Sequence, residues 1–261
     1  MSRLAGVFEA CRAESRAALI GYLPAGYPTV DGSKDVLRAM VGSGCDVVEV
    51  GLPYSDPVMD GPTIQRASER ALREGFRVRD LFGIVESVAA AGGRAVVMTY
   101  WNPVLKYGAD AFARDLAAAG GLGLITPDLV PDEAEEWLAA SEAHDLDRIF
   151  LVAPSSTEER IDLNARSSRG FLYATSVMGV TGARDVVSSA APELVRRVRE
   201  HTTMPVAVGL GVRSGAQAAE LAAFADGVIV GSAFVTAVET DTVAALATEL
   251  AEGVRQVPSP A

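Results

Sequence analysis

Short, nearly all-apolar runs alternate eight times along the chain with longer stretches whose apolar residues recur about every 3.6 positions. The short runs are residues 18–23, 47–51, 94–100, 121–126, 148–153, 170–175, 205–211 and 226–231. Strands covered by protein on both faces need no alternation of apolar and polar residues, and these runs show little. Residues 31–41, 63–73, 111–119, 131–143 and 192–201 lie between them with the spacing of amphipathic helices. Strand then helix, eight times without a Pro/Gly/Ser linker, predicts an α/β protein built as a single (β/α)8 TIM barrel. On pattern alone an open doubly wound sheet is the competing architecture. Residues 4–15 read as an extra N-terminal helix that plugs the barrel floor. Residues 241–254 read as a final helix, and the PSPA tail at 258–261 is expected to be disordered, leaving 1–257 as the barrel domain.

The length of 261 residues suits one barrel. A formal charge of −11, with 34 acidic against 23 basic residues and no basic cluster, excludes a protein that tracks a phosphate backbone. The longest apolar runs fall far short of the roughly 20 residues that span a bilayer. The opening MSRLAGVFEACRAESR carries charges throughout and has no apolar signal core, so a cytoplasmic protein is expected.

Reactive side chains are few. Cys11 and Cys45 form no metal spacing and read as buried small hydrophobes. His144 and His201 fall where helices should end, next to a favourable dipole terminus. Lys34 lies in a helical pattern and Lys106 in a polar loop, neither at a strand end where a Schiff-base lysine would face a carbonyl. No metal site and no cofactor are expected, and acid–base work falls to carboxylates and tyrosines.

In a TIM barrel the chemistry belongs at the C-terminal ends of the strands. Glu49 interrupts a strand of valines in VVEVGLPYSDPVMDGPTIQ, residues 47–65, and shares a face with Val47 and Gly51. Apolar walls should raise its pKa toward neutrality, which suits a general acid or base; pairing with an arginine is the alternative. Asp60 follows in the loop, where it serves either chemistry or the start of the helix at Thr63. VGLG ends the seventh strand at Gly211, and VGSAF ends the eighth at Gly231 and opens a helix at Ser232. Glycine backbone and a helix N-terminus after those two strands form a phosphate seat. TSVMGVTGARDVV, residues 175–187, has the composition of a closing loop, and Tyr173 just before it can aim its hydroxyl into the barrel mouth.

Together these residues resemble the alpha subunits of tryptophan synthase, whose Leu-Glu-Leu-Gly-(Val/Leu)-Pro-(Phe/Tyr)-Ser-Asp-Pro signature stands here as VEVGLPYSDP. The loop Gly179-Val180-Thr181-Gly182 and the turns at Gly211 and Gly231-Ser232 match in order and spacing, so the resemblance covers essentially the whole chain. It implies a lyase that cleaves indole-3-glycerol phosphate to indole and glyceraldehyde 3-phosphate. Glu49 and Asp60 correspond to the family's catalytic carboxylates. Thr181, Gly182, Gly211, Gly231 and Ser232 correspond to its closing loop and phosphate seat, and Tyr22, Tyr100 and Tyr173 to positions that line the indole pocket or position Glu49. Val177-Met178 departs from the Arg-Ser often found there, so no contact of that arginine is carried over.

The resemblance also implies a pyridoxal-phosphate beta subunit in a linear αββα complex, with pyridoxal phosphate held only by that partner. Pro53, Tyr54, Asp56, Pro57 and Asn102 are the expected contact surface. Cleaving a carbon–carbon bond beside a hydroxyl needs an electron sink, normally a Schiff base or a metal. With neither expected here, the substrate's indole ring, protonated at C3, fits as the sink. Another phospho-sugar barrel isomerase, or a non-catalytic module that docks on a beta subunit, are the rival readings.

Overall fold

The computed structural model describes residues 2–175, 190–209 and 211–256. Its strands are β1 (Ala18–Pro24), β2 (Val47–Gly51), β3 (Ala95–Met98), β4 (Gly123–Ile125), β5 (Asp147–Ile149), β6 (Leu151–Val152), β7 (Leu172–Thr175), β8 (Val206–Gly209) and β9 (Gly227–Val230). Its α-helices are α1 (Arg3–Ala13), α2 (Val30–Gly42), α3 (Pro62–Arg73), α4 (Val78–Ala90), α5 (Trp101–Tyr107), α6 (Ala109–Ala118), α7 (Glu135–Ala143), α8 (Glu158–Ser167), α9 (Ala190–His201), α10 (Gly215–Ala222), α11 (Ser232–Glu239) and α12 (Val243–Gly253).

All pairings are parallel, in the order β5-β4-β3-β2-β1-β9-β8-β7-β6. The two ends of that order, β5 and β6, are successive pieces of one stave interrupted at Phe150, so the sheet closes on itself as an eight-stave barrel. The stave expected as one strand over 148–153 is therefore divided. Across the break the Phe150 carbonyl still accepts from Tyr173 N at 3.2 Å, which keeps the pieces in register. The helix expected over 131–143 is likewise divided, into a single 3₁₀ turn at Pro131–Glu133 and α7. Lys106, expected in a loop, lies in the last turn of α5, where its cation favours the helix terminus.

Parallel register fixes what faces inward. Ile20 pairs with Val47, Tyr22 with Glu49, Glu49 with Val96, and Tyr173 with Ala207, so these side chains share the barrel interior. At the N-terminal end of the barrel Ala18, Ile20, Val47, Val96, Phe171 and Ile229 meet Leu4, Val7, Phe8 and Cys11 of α1 in one apolar cluster. Those four α1 residues recur at helical spacing, and burying each large side chain stabilises by about 1.5–3 kcal/mol. The helix thus plugs the floor as the pattern predicts. Ser2 caps it, accepting from Ala5 N and donating to buried Asp147 Oδ2 at 2.5 Å, while Arg169 donates to the same carboxylate at 2.6 Å. The opposite, C-terminal mouth carries the polar interior residues. No described helix is long and apolar enough to cross a membrane.

Candidate active site

Glu49 projects from the middle of β2 into the barrel, 1% exposed, and its Oε2 has no hydrogen-bond partner. Deprived of water, its carboxyl is pushed up to about 8, first by burial and then by the negative charge of Asp60. No arginine pairs with it among the described residues.

Asp60 comes from the loop between β2 and α3. Gly61 is the N-cap of α3 and Pro62 fills its first turn, so Asp60 does not cap the helix. Gln65 holds the Asp60 carbonyl at 2.8 Å, and the side chain turns to the barrel mouth. There the Tyr100 hydroxyl donates to Asp60 Oδ1 at 3.1 Å and accepts from the backbone N–H groups of Val58 at 3.2 Å and Met59 at 3.0 Å. Burial raises the Asp60 pKa and the Tyr100 hydrogen bond opposes that rise; the Tyr100 phenol is pushed up to about 12 by burial and the nearby carboxylate. Two carboxyls thus share one mouth in unequal environments, with Glu49 the one that keeps its proton at neutral pH.

Tyrosines wall the two acids. A Cβ on Gly51 would come within 2.3 Å of the Tyr22 hydroxyl, and one on Gly209 within 2.3 Å of the Tyr173 hydroxyl. These two strand glycines, which sequence reasoning did not assign, therefore clear the space into which the phenols extend. Their signal is a glycine on the inward face of a strand beside an inward tyrosine. Burial drives both phenols well above their ordinary pKa; Tyr173 also feels Glu49, and Tyr22 feels Asp60, Glu49, Tyr100 and Tyr173.

On the far side of the mouth, β9 ends at Val230, Gly231 is the N-cap of α11, and Phe234 N is the first to bond back, to Gly231 O at 2.9 Å. The Ser232 and Ala233 N–H groups precede that first intrahelical bond, the arrangement that receives anions. Gly211 follows β8 with φ +66°, a left-handed conformation that favours glycine. Thr181, Gly182 and the Val177-Met178 departure lie outside the described residues, as does the tail at 258–261. Among the described residues no three His, Cys, Asp or Glu side chains gather as a metal site requires.

In the chain alone Pro53 is buried, Asp56 and Asn102 are exposed, and Tyr54 and Pro57 are half-buried. Asn102 Nδ2 donates to the Tyr54 hydroxyl at 3.1 Å, and the Tyr54 ring lies 5.3 Å from that of Tyr100, so the loops after β2 and β3 are joined. Asp128, also missed, accepts from Trp101 N at 2.9 Å and ties the start of α5 to the loop after β4. No apolar pattern marks such a contact in the sequence.

The family profile described as tryptophan synthase alpha chain matches residues 8–257. The tryptophan synthase alpha chain of Nocardia farcinica is 68% identical over 97% of this chain and 96% of its own length. That of Mycobacterium tuberculosis is 69% identical over 97% and 95% respectively. Among solved structures, Mycobacterium tuberculosis tryptophan synthase superposes with a TM-score of 0.95 at 68% identity, covering 97% of this chain and 98% of that one. The Legionella pneumophila alpha subunit does so with 0.85 at 31% identity, covering 97% and 98%. With a closed barrel, two unlike carboxyls at its mouth and matches running nearly end to end, the chain belongs to the tryptophan synthase alpha chain family, a lyase subunit of tryptophan biosynthesis.

Proposed function

We propose that the chain cleaves indole-3-glycerol phosphate by a retro-aldol reaction in which Glu49 is the proton carrier and Asp60 the electrostatic partner. The observation that carries this is the buried Glu49 carboxyl, neutral below about pH 8 and facing a second carboxylate across the barrel mouth. Neutral Glu49 protonates the indole ring at C3, and the positive charge spreads to the ring nitrogen, where the Asp60 carboxylate stabilises it. Glu49, now ionised, takes the proton of the side-chain hydroxyl. The O–H electron pair becomes the aldehyde C=O bond, and the broken carbon–carbon pair restores the indole ring. Each acid–base contribution is worth about 10²- to 10⁴-fold.

Tyr100 fixes Asp60 through its hydrogen bond, and Tyr173 walls Glu49. Gly211, Gly231 and Ser232 receive the phosphate, with Thr181 and Gly182 of the loop completing the seat. No cofactor is assigned to this chain.

A beta subunit is the partner, carrying pyridoxal phosphate in an αββα arrangement, in a cytoplasmic setting. Asp56 and Asn102 lie on the docking face. In support, the exposed large apolar side chains among the described residues are Val58, Leu105 and Val130, which lie after β2, β3 and β4 in turn. Such a set of exposed apolar residues on neighbouring segments fits a contact surface.

The test is indole release from indole-3-glycerol phosphate by the purified chain, with and without a beta subunit. Glu49→Gln is expected to lower kcat by at least about 10²-fold with substrate binding retained. A variant within tenfold of the unsubstituted chain would remove Glu49 from the chemistry. A chain that binds a beta subunit yet releases no indole would support the docking-module reading instead.

A further inference from the structure

Tyr22 lies between Glu49 and Gly231, the two ends of the proposed substrate site. Its Cα pairs with that of Glu49 on the adjacent strand. The hydroxyl lies over Gly51, two residues beyond Glu49 on the same inward face, within 2.3 Å of where a Cβ there would stand. The other edge of the ring faces the phosphate seat, with Cδ1 3.4 Å from the Cβ position of Gly231. A glycerol phosphate chain anchored at Gly231 and Ser232 and reaching toward Glu49 would run along this ring.

The residue is 8% exposed, and its phenol is perturbed by burial and by Asp60, Glu49, Tyr100 and Tyr173, with no hydrogen bond among the causes. A phenylalanine would fill the same apolar space without bringing an unpaired hydroxyl into it. A hydroxyl kept unpaired in such a place is one that a ligand can satisfy.

Resting on the retro-aldol reading, we propose that the Tyr22 hydroxyl is a catalytic donor to the substrate oxygen that becomes the aldehyde carbonyl. As Glu49 removes the proton from that oxygen, negative charge develops on it while the carbon–carbon bond opens. The Tyr22 O–H donates a hydrogen bond to the charge and keeps its own proton, because burial makes it a poor acid. Nothing beyond the substrate and Glu49 enters the proton balance: the proton given to ring C3 is recovered from the hydroxyl. Tyr22 also separates the phosphate seat from Glu49 and so sets which carbon–carbon bond, counted from the phosphate, meets the acid.

The experiment compares the unsubstituted chain with Tyr22→Phe, which removes one oxygen and preserves the ring. Indole release gives kcat and KM, and the inhibition constant is measured for an indole alkyl phosphate that lacks the hydroxyl. Expected are a loss in kcat on the order of 10²-fold and an inhibition constant for the deoxy analogue unchanged within twofold, since that analogue has no oxygen for Tyr22 to meet. Unimpaired kcat in Tyr22→Phe would overturn the proposal, as would a kcat loss matched by equal weakening of the analogue, which would mark a packing defect. Should the unsubstituted chain release no indole, the retro-aldol reading falls together with this one. Activity in that chain with an unimpaired variant removes Tyr22 alone.

Discussion

At position 49 a carboxyl held neutral up to about pH 8 has consequences for both activity and stability. In the proposed reaction protonation of C3 comes first, so the neutral acid is the active form in the free protein, and kcat/KM is expected to fall as pH rises through about 8. A profile that instead rises through that range would put hydroxyl deprotonation first. For stability, the folded state keeps a proton that the unfolded chain releases near the ordinary value of 4.5. Stability is therefore lost as pH climbs from about 4.5 to about 8, and the full penalty stands above that window. Glu49→Gln removes the ionising group. Its urea midpoint is expected to match the unsubstituted chain at pH 4 and exceed it at pH 9, by on the order of a few kcal/mol in unfolding free energy. Equal midpoints at pH 9 would mean that Glu49 ionises without cost. That Glu49 is special was legible in the sequence, because a lone carboxyl within an apolar strand is too costly to bury unless it is paired or put to use. The Tyr100 to Asp60 hydrogen bond was not, since it joins residues 40 positions apart through a loop without periodicity.

Single elements carry the proposed phosphate seat. The turn after β8 has φ +66° at Gly211, and Gly231 alone separates the end of β9 at Val230 from the start of α11 at Ser232. Both were readable because glycine after an apolar run has a limited set of uses. A side chain at Gly211 is strained in that conformation and, in the proposed seat, stands beside the phosphate. Gly211→Leu is expected to raise KM for indole-3-glycerol phosphate at least about tenfold, with kcat at saturation less affected, because binding common to ground and transition states is what is lost. Calorimetry with inorganic phosphate checks it, and equal affinity in both proteins would move the seat elsewhere. Element boundaries were less legible. The stave at 148–153 reads as one apolar run although Phe150 interrupts it, and 131–143 reads as one helix although Ala134, with ψ 17°, separates the 3₁₀ turn from α7. Hydrophobic spacing reports which face is buried, and it is indifferent to a local change of backbone pitch.

Over the whole molecule, the Tyr100 phenol connects the proposed docking face with the mouth. The Tyr100 hydroxyl accepts from Val58 N and Met59 N, in the loop that bears exposed Asp56 and Val58, and donates to Asp60 Oδ1. Stacking of Tyr54 near Tyr100 and the Asn102 to Tyr54 hydrogen bond draw the loop after β3 into the same unit. A partner that orders the loop after β2 therefore also narrows the positions open to Asp60, and by reciprocity a ligand that fixes Asp60 strengthens partner binding. Coupling of this kind is typically about 1–3 kcal/mol, or 5- to 150-fold. The chain alone is expected to be a slow catalyst that a beta subunit accelerates by a factor in that range. Tyr100→Phe keeps the ring against Tyr54 and removes the hydroxyl that joins the loop to Asp60, so it should bind the beta subunit within about threefold of the unsubstituted chain yet lose most of the acceleration. Leu105→Glu makes the opposite separation. It places a charge on the outer face of α5, away from the hydrogen bonds to Asp60, and should weaken association while leaving the activity of the chain alone unchanged. Measuring indole release against beta-subunit concentration for both variants separates binding from transmission. If Tyr100→Phe is accelerated as strongly as the unsubstituted chain at saturating partner, the signal crosses to Asp60 by a route other than this hydroxyl.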